Sequence, residues 1–169
     1  MKKTVGVVWG RFNPPHRGHV ALIERLAKSV DFLIVAVGNA EGRNTRRDPF
    51  SGDERVEMMR RYLKERNVRV KGVVAVRDGE TYASSVDNLF KKCGKFDVLF
   101  TDHKVFAGMV GGRARVVGFR RRGRISSTLL RDSIAAGKEW ENLTGRSVVE
   151  LIKKYDGVER IRRSYRTTE

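Results

Sequence analysis

The amino-acid sequence predicts an α/β protein on a doubly wound, Rossmann-like parallel sheet of five strands, with helices on both faces and further helices at the C-terminal end. Three observations carry this expectation. Five short apolar runs alternate with stretches of helical periodicity, the order in which parallel strands and their crossover helices are laid down. The first run, Thr4-Val5-Gly6-Val7-Val8-Trp9, is apolar almost throughout, as a strand buried on both faces is. Directly after it comes Gly10-Arg11-Phe12-Asn13-Pro14-Pro15-His16-Arg17-Gly18-His19. A strand-to-helix crossover of this kind is where an open α/β sheet presents a ligand, outside its strand ends.

Each element follows from local pattern. Residues 19–30 form the first helix, with Leu22, Ile23, Leu26, Ala27 and Val30 on one side. Phe32 to Val37 is the second strand; it ends at Gly38-Asn39-Ala40 and a polar loop running to Phe50. Ser51-Gly52-Asp53-Glu54 reads as a capping box, opening a helix to about Arg66 that buries Val56, Met59, Tyr62 and Leu63. Val68 to Val76 is the third strand, and Ser84 to Lys92 the helix after it. Phe96 to Phe100 is the fourth strand, Lys104 to Val110 a short helix, and Ala114 to Phe119 the last strand. Two helices, Ser127–Ala136 and Arg146–Tyr155, close the chain, with Gly157 as C-cap and a basic tail of Arg160, Arg162, Arg163 and Arg166 beyond it. No repeat or linker interrupts residues 1–169, so a single domain is expected.

Composition narrows the partners. No apolar run approaches the roughly 20 residues of a membrane span, and the N-terminus lacks a signal-peptide pattern. The lone cysteine, Cys93, excludes an internal disulfide and fits a reducing cytoplasm. Net charge is +16 and unevenly spread: between His103 and Arg131 stand eight Lys or Arg and no Asp or Glu. Such a field favours polyanions, whether nucleotide, pyrophosphate or nucleic acid.

Two constellations suit an anionic ligand. His16 and His19 lie three apart across a helix start, where both rings can point at one spot above the sheet. An isolated pair would equally suit a metal site or a solvated surface. This one follows a buried strand, opens a helix, and uses two of the chain's three histidines. Gly18 lets a phosphate approach backbone N–H groups and the positive end of the helix dipole. Far along the chain, Ile125-Ser126-Ser127-Thr128-Leu129-Leu130-Arg131 puts three hydroxyls at another helix start, with Arg131 one turn inside as a fork of donors. Ordinary N-capping by Ser126 or Ser127 is the plainer account of the same hydroxyls.

The His16-Arg17-Gly18-His19 signature resembles that of the HxGH nucleotidyltransferase superfamily. The longer string from Gly10 through Phe12 to His19 is most similar to the archaeal-type nicotinamide mononucleotide (NMN) adenylyltransferases, which join ATP to NMN to give NAD and pyrophosphate. The Ile-Ser-Ser-Thr-x-x-Arg motif of that superfamily is matched at every defined position by Ile125 to Arg131. A third match is Arg47-Asp48-Pro49-Phe50-Ser51 followed by Glu54-Arg55. The resemblance implies catalytic roles for His16, His19, Arg11 and Arg131. It implies nucleotide binding by Gly10, Phe12, Gly18, Arg47, Ser126, Ser127 and Thr128, and acceptor binding by Gly38, Asn39, Asp78 and Tyr82. It further implies Mg²⁺ carried on the ATP phosphates with no protein metal ligands, and a homo-oligomer, often a hexamer. The pattern breaks where the family carries Asn and Trp around the nicotinamide ring: Tyr82 and Ser85 stand there instead, and Thr101-Asp102-His103-Lys104 replaces its Ser-Gly-Asn-Pro. A different phosphorylated acceptor therefore stays open. So does a nucleic-acid-binding role for Arg120–Arg124 and the basic tail, although only Phe119 and Tyr165 lie near those runs, which is thin for a stacking surface.

Overall fold

The computed structural model describes residues 2–120 and 123–167. Five parallel strands form one sheet: β1 (Val5–Gly10), β2 (Phe32–Val37), β3 (Gly72–Ala75), β4 (Val98–Phe100) and β5 (Arg115–Val117). Their spatial order is β3-β2-β1-β4-β5. The order reverses between β1 and β4, which pair directly through Gly6–Val98, Val7–Leu99 and Val8–Phe100. That reversal opens a crevice at the carboxyl ends of the two strands, because their crossovers leave in opposite directions.

Side chains alternate across the sheet and build two cores. Val8, Val35 and Val37 face the larger one, together with α1 (Arg17–Ala27), α2 (Gly52–Glu65), α5 (Ser127–Ala135), α6 (Arg146–Lys154) and α7 (Gly157–Arg166). Val7, Trp9, Ile34 and Ala36 face the smaller, covered by α3 (Tyr82–Cys93) and α4 (Lys104–Met109). The capping box at Ser51 is present as read: Ser51 Oγ accepts from Glu54 N at 3.2 Å, and Ser51 N donates to the Glu54 carboxylate at 2.8 Å. Among the described residues no helix is long and apolar enough to cross a membrane.

The C-terminal end departs from expectation. Gly157 is not a C-cap; the left-handed residue after α6 is Asp156, at φ 54°. Gly157 instead opens a further helix, α7, pressed so close to Phe50 that a Cβ would sit 2.6 Å from the ring. The basic tail is thus an amphipathic helix with Ile161 fully buried and Val158 and Tyr165 packed on the same core. Arg160 serves that docking rather than a ligand, pairing with the Glu54 carboxylate at 2.6 Å and donating to Pro49 O at 2.6 Å. Four arginines in ten residues hid the apolar stripe, although their alkyl stems cover core as readily as their heads reach water.

Candidate functional site

The crevice at the switch point is an open cleft of about 900 Å³. Every residue given a catalytic or binding role from the sequence lines it: Gly10, Arg11, Phe12, His16, Gly18, His19, Gly38, Asn39, Arg47, Asp78, Tyr82, Ser126, Ser127, Thr128 and Arg131. They come from the loops after β1, β2 and β3 and from the start of α5, so the sheet topology alone converges them.

The histidine pair builds its own helix cap. His16 is the N-cap of α1; its Nδ1 accepts from Gly18 N at 3.1 Å, while His16 N donates to Nδ1 of His19 at 3.2 Å. A nitrogen that accepts an N–H carries no proton, so the neutral form of both rings bears its hydrogen on Nε2, which becomes a donor. The rings stack with centroids 3.6 Å apart, and Phe12 meets His19 edge-on at 4.9 Å. Gly18 serves this cap first, since a Cβ there would lie 3.0 Å from the His16 ring. Phe12 is 4 % exposed and held at φ 51°, so it braces His19 from below.

Cations surround the pair. Arg11 is held by Asp48 at 3.3 Å, and Asp48 is itself bound by Asn13 Nδ2 at 3.2 Å. Arg47 stands exposed at the rim. Arg120, Gly123 and Arg124 also line the cleft; Arg121 and Arg122 of that basic run lie outside the described residues. Arg131 is 8 % exposed; its Nη1 donates to Asn13 O at 2.7 Å and its Nη2 to Thr128 Oγ1 at 3.3 Å, while Nε is buried with no partner. Arg131 is therefore oriented by the protein before any ligand arrives. Among the described residues no group of three or more His, Cys, Asp or Glu is placed to hold a metal ion.

The three hydroxyls divide their labour. Each has one proton to give. Ser127 spends it on Pro14 O at 2.8 Å, tying α5 to the β1 loop. Ser126 Oγ caps α5 as an acceptor from Leu129 N, and Thr128 Oγ1 accepts from Arg131, so both keep a proton to offer an anion in the cleft.

Residues 7–133 match the model of the cytidylyltransferase-like family. The chain belongs to this family. The resemblance read from the histidine and hydroxyl motifs stands, and similarity to whole proteins extends it along the chain. The nicotinamide-nucleotide adenylyltransferase of Pyrococcus abyssi is 34 % identical over 161 residues, covering 93 % of this chain and 87 % of its own. That of Pyrobaculum neutrophilum is 36 % identical over 159 residues, covering 90 % and 89 %. A Francisella tularensis bifunctional NMN adenylyltransferase/ADP ribose pyrophosphatase, solved with AMP and a manganese ion, shares the fold with a TM-score of 0.79 at 15 % identity. The chain covers 54 % of that longer protein, and 98 % of this chain is matched.

The end of the cleft lined by Tyr82, where the sequence departs from the family pattern, has its own arrangement. Ser85 does not line it: its Oγ donates to Thr81 O at 2.9 Å and accepts from Gly79 N at 2.8 Å, bracing the start of α3. Tyr82 does line it, 52 % exposed, and packs edge-on to Phe106 at 5.4 Å and against His103 at 5.7 Å. Phe106 stacks in turn on Trp9 at 4.2 Å. Trp9, His103 and Phe106 were missed as site residues because a strand-end Trp and a six-residue helix read as packing; nothing local brings them together. Opposite them Asp78 accepts from Asn39 N at 3.1 Å. Burial lifts its carboxyl above the ordinary aspartate value, the Asn39 N–H opposes the rise, and the neighbouring Glu41 carboxylate adds to it.

Proposed function

We propose that this protein is an NMN adenylyltransferase, transferring AMP from ATP to NMN with release of pyrophosphate. The observation that supports it most directly is the agreement in name among relatives 31–36 % identical over at least 90 % of this chain. The cleft fits the chemistry independently. A phosphate oxygen of NMN attacks the α-phosphorus of ATP in line; the Pα–O–Pβ bond breaks and its electron pair leaves on pyrophosphate. Both reactants are anions, so catalysis here is positioning and charge stabilisation rather than covalent work. In this reading the Nε2–H groups of His16 and His19 donate to oxygens of the α- and β-phosphates as charge shifts toward the leaving group. Arg11, Arg47 and Arg131 neutralise the triphosphate and the acceptor phosphate, and Ser126 and Thr128 donate to phosphate oxygens at the α5 start. A divalent cation, Mg²⁺ here, comes bound to the ATP oxygens and supplies further charge stabilisation. A donor set of guanidinium, imidazole and hydroxyl groups suits a polyphosphate that brings its own metal. The same reading makes the protein a cytoplasmic homo-oligomer.

Incubation with ATP and a panel of phosphorylated acceptors, reading both pyrophosphate and dinucleotide, tests the proposal. NMN should be the fastest acceptor. A different phosphate ester turning over faster would replace NMN, an alternative that the Tyr82, His103 and Phe106 surface specifically invites.

Two variants probe the halves of the cleft. Tyr82→Ala removes a ring face whose stacking is worth about 1–3 kcal/mol, or roughly five- to a hundredfold in NMN affinity at about 1.4 kcal/mol per decade. Calorimetric titration should show that loss for NMN with ATP binding nearly unchanged; equal losses for both ligands would assign Tyr82 to packing alone. Arg131→Lys keeps the charge but cannot bond Asn13, Thr128 and a phosphate together. A charge-assisted hydrogen bond is worth about 1.5–3 kcal/mol, so kcat/KM for ATP should fall at least about tenfold; unchanged kinetics would remove Arg131 from the phosphate site.

A further inference from the structure

Three consecutive carbonyl oxygens in the loop leading to the histidine pair are each held by a side chain more than a hundred residues away. Arg131 Nη1 donates to Asn13 O at 2.7 Å, Ser127 Oγ to Pro14 O at 2.8 Å, and Thr144 Oγ1 to Pro15 O at 2.8 Å. Arg131 and Ser127 belong to the hydroxyl motif. Thr144 belongs to no motif: it follows the short 3-10 turn Glu141–Leu143, is 6 % exposed, and does not line the cleft.

The peptide it holds is the one joined to the first histidine. The Pro15 carbonyl and the His16 N–H are two ends of a single planar unit, and that N–H donates to Nδ1 of His19 at 3.2 Å. Rotation about the C–N bond is blocked, so a tilt that released the oxygen would also swing the N–H away from the imidazole. We propose that Thr144 is a positioning residue for His19, acting through the Pro15–His16 peptide. Its hydroxyl sets the tilt of the plane, and the N–H at the far edge of the plane sets the orientation and tautomer of the His19 ring. Polarisation runs the same way, since a donor on the carbonyl strengthens the amide N–H. Nδ1 of His19 is thereby kept an acceptor and the ring proton is kept on Nε2, toward the cleft. The ring geometry stands by itself; its effect on turnover rests on the adenylyl-transfer reading.

Thr144→Val keeps the shape and removes the hydroxyl, whereas Thr144→Ser keeps the hydroxyl. The ring nitrogen shifts of His19, read by long-range ¹H–¹⁵N correlation on the whole protein, should report one Nε2–H tautomer in wild type and Thr144→Ser and a mixture in Thr144→Val. With ATP and NMN, kcat of Thr144→Val should fall about tenfold while KM for ATP stays within about twofold, and Thr144→Ser should recover most of the loss. In a His19→Ala background the Val substitution should change kcat less than about twofold, because the two act as one unit. An equal fall in both backgrounds, or His19 shifts unmoved by Thr144→Val, overturns the proposal. Thr144→Ala, read on the same shifts, decides the question if the Val variant does not fold. A wild type that makes no dinucleotide would defeat the functional reading, and the nitrogen shifts would still decide Thr144.

Discussion

His19→Ala is expected to fold and to bind ATP within a few-fold of wild type, while its turnover with NMN falls about 10²–10³-fold. The physical argument begins with the helix start. His19 reaches the cleft at the first turn of α1, braced by Phe12 at 4.9 Å and by the His16 ring at 3.6 Å, with Nδ1 occupied by a backbone N–H. A donor so fixed needs no reorganisation when charge moves from the α-phosphorus to the leaving pyrophosphate, and losing one such donor typically costs 10²–10³ in rate. The ground state should lose little, because in the proposed reading Arg11, Arg47, Arg131 and the α5 hydroxyls would still hold the polyphosphate. The effect should therefore appear in kcat and hardly in the ATP dissociation constant. Steady-state kinetics beside calorimetric ATP titration make the comparison, and a variant keeping more than about a third of wild-type kcat would take His19 out of the mechanism. His16→Ala should behave alike.

The largest stability effect should come from Arg55→Met. Arg55 is fully buried in α2, and its guanidinium bonds five backbone carbonyls. Nε reaches Phe50 O and Ser51 O, both at 3.1 Å; Nη1 reaches Arg11 O at 2.6 Å and Gly38 O at 2.8 Å; Nη2 reaches Asn39 O at 2.7 Å. These carbonyls end β1, end β2 and begin α2, so one side chain knits together the three segments that wall the cleft. Burial pushes its pKa down to about 10, which leaves it charged at neutral pH. Each buried acceptor left without a partner costs about 1–3 kcal/mol. Allowing some of the five to recover water, Arg55→Met should lose at least about 4 kcal/mol by denaturant titration. For a chain of this size that is roughly 8–16 °C in Tm. Arg55→Lys should fall between, since an ammonium offers three donors without the planar fork. A Met variant within about 1 kcal/mol of wild type would mean that the carbonyls are satisfied by other means.

How much of this was legible in the sequence depended on the range of the interaction. The strand Phe32–Val37, the capping box of Ser51 and Glu54, and the α5 start at Ser127 were read from patterns within one element, because apolar period and cap chemistry are local. The HxGH and Ile-Ser-Ser-Thr-x-x-Arg motifs marked the two sides of the cleft, since phosphate binding draws on short runs of donors at helix starts. Tertiary structure alone decided the rest. Ser127 and Ser126 look equivalent in sequence, yet a carbonyl 113 residues away claims the proton of one. Arg55 and Arg160 look like solvated charges until burial shows each bonded to the backbone of distant loops. Trp9, Tyr82, His103 and Phe106 become one aromatic surface because β1 lies beside β4 in the sheet. Strand order is set by which faces bury together across the whole chain, a long-range outcome that local periodicity does not encode.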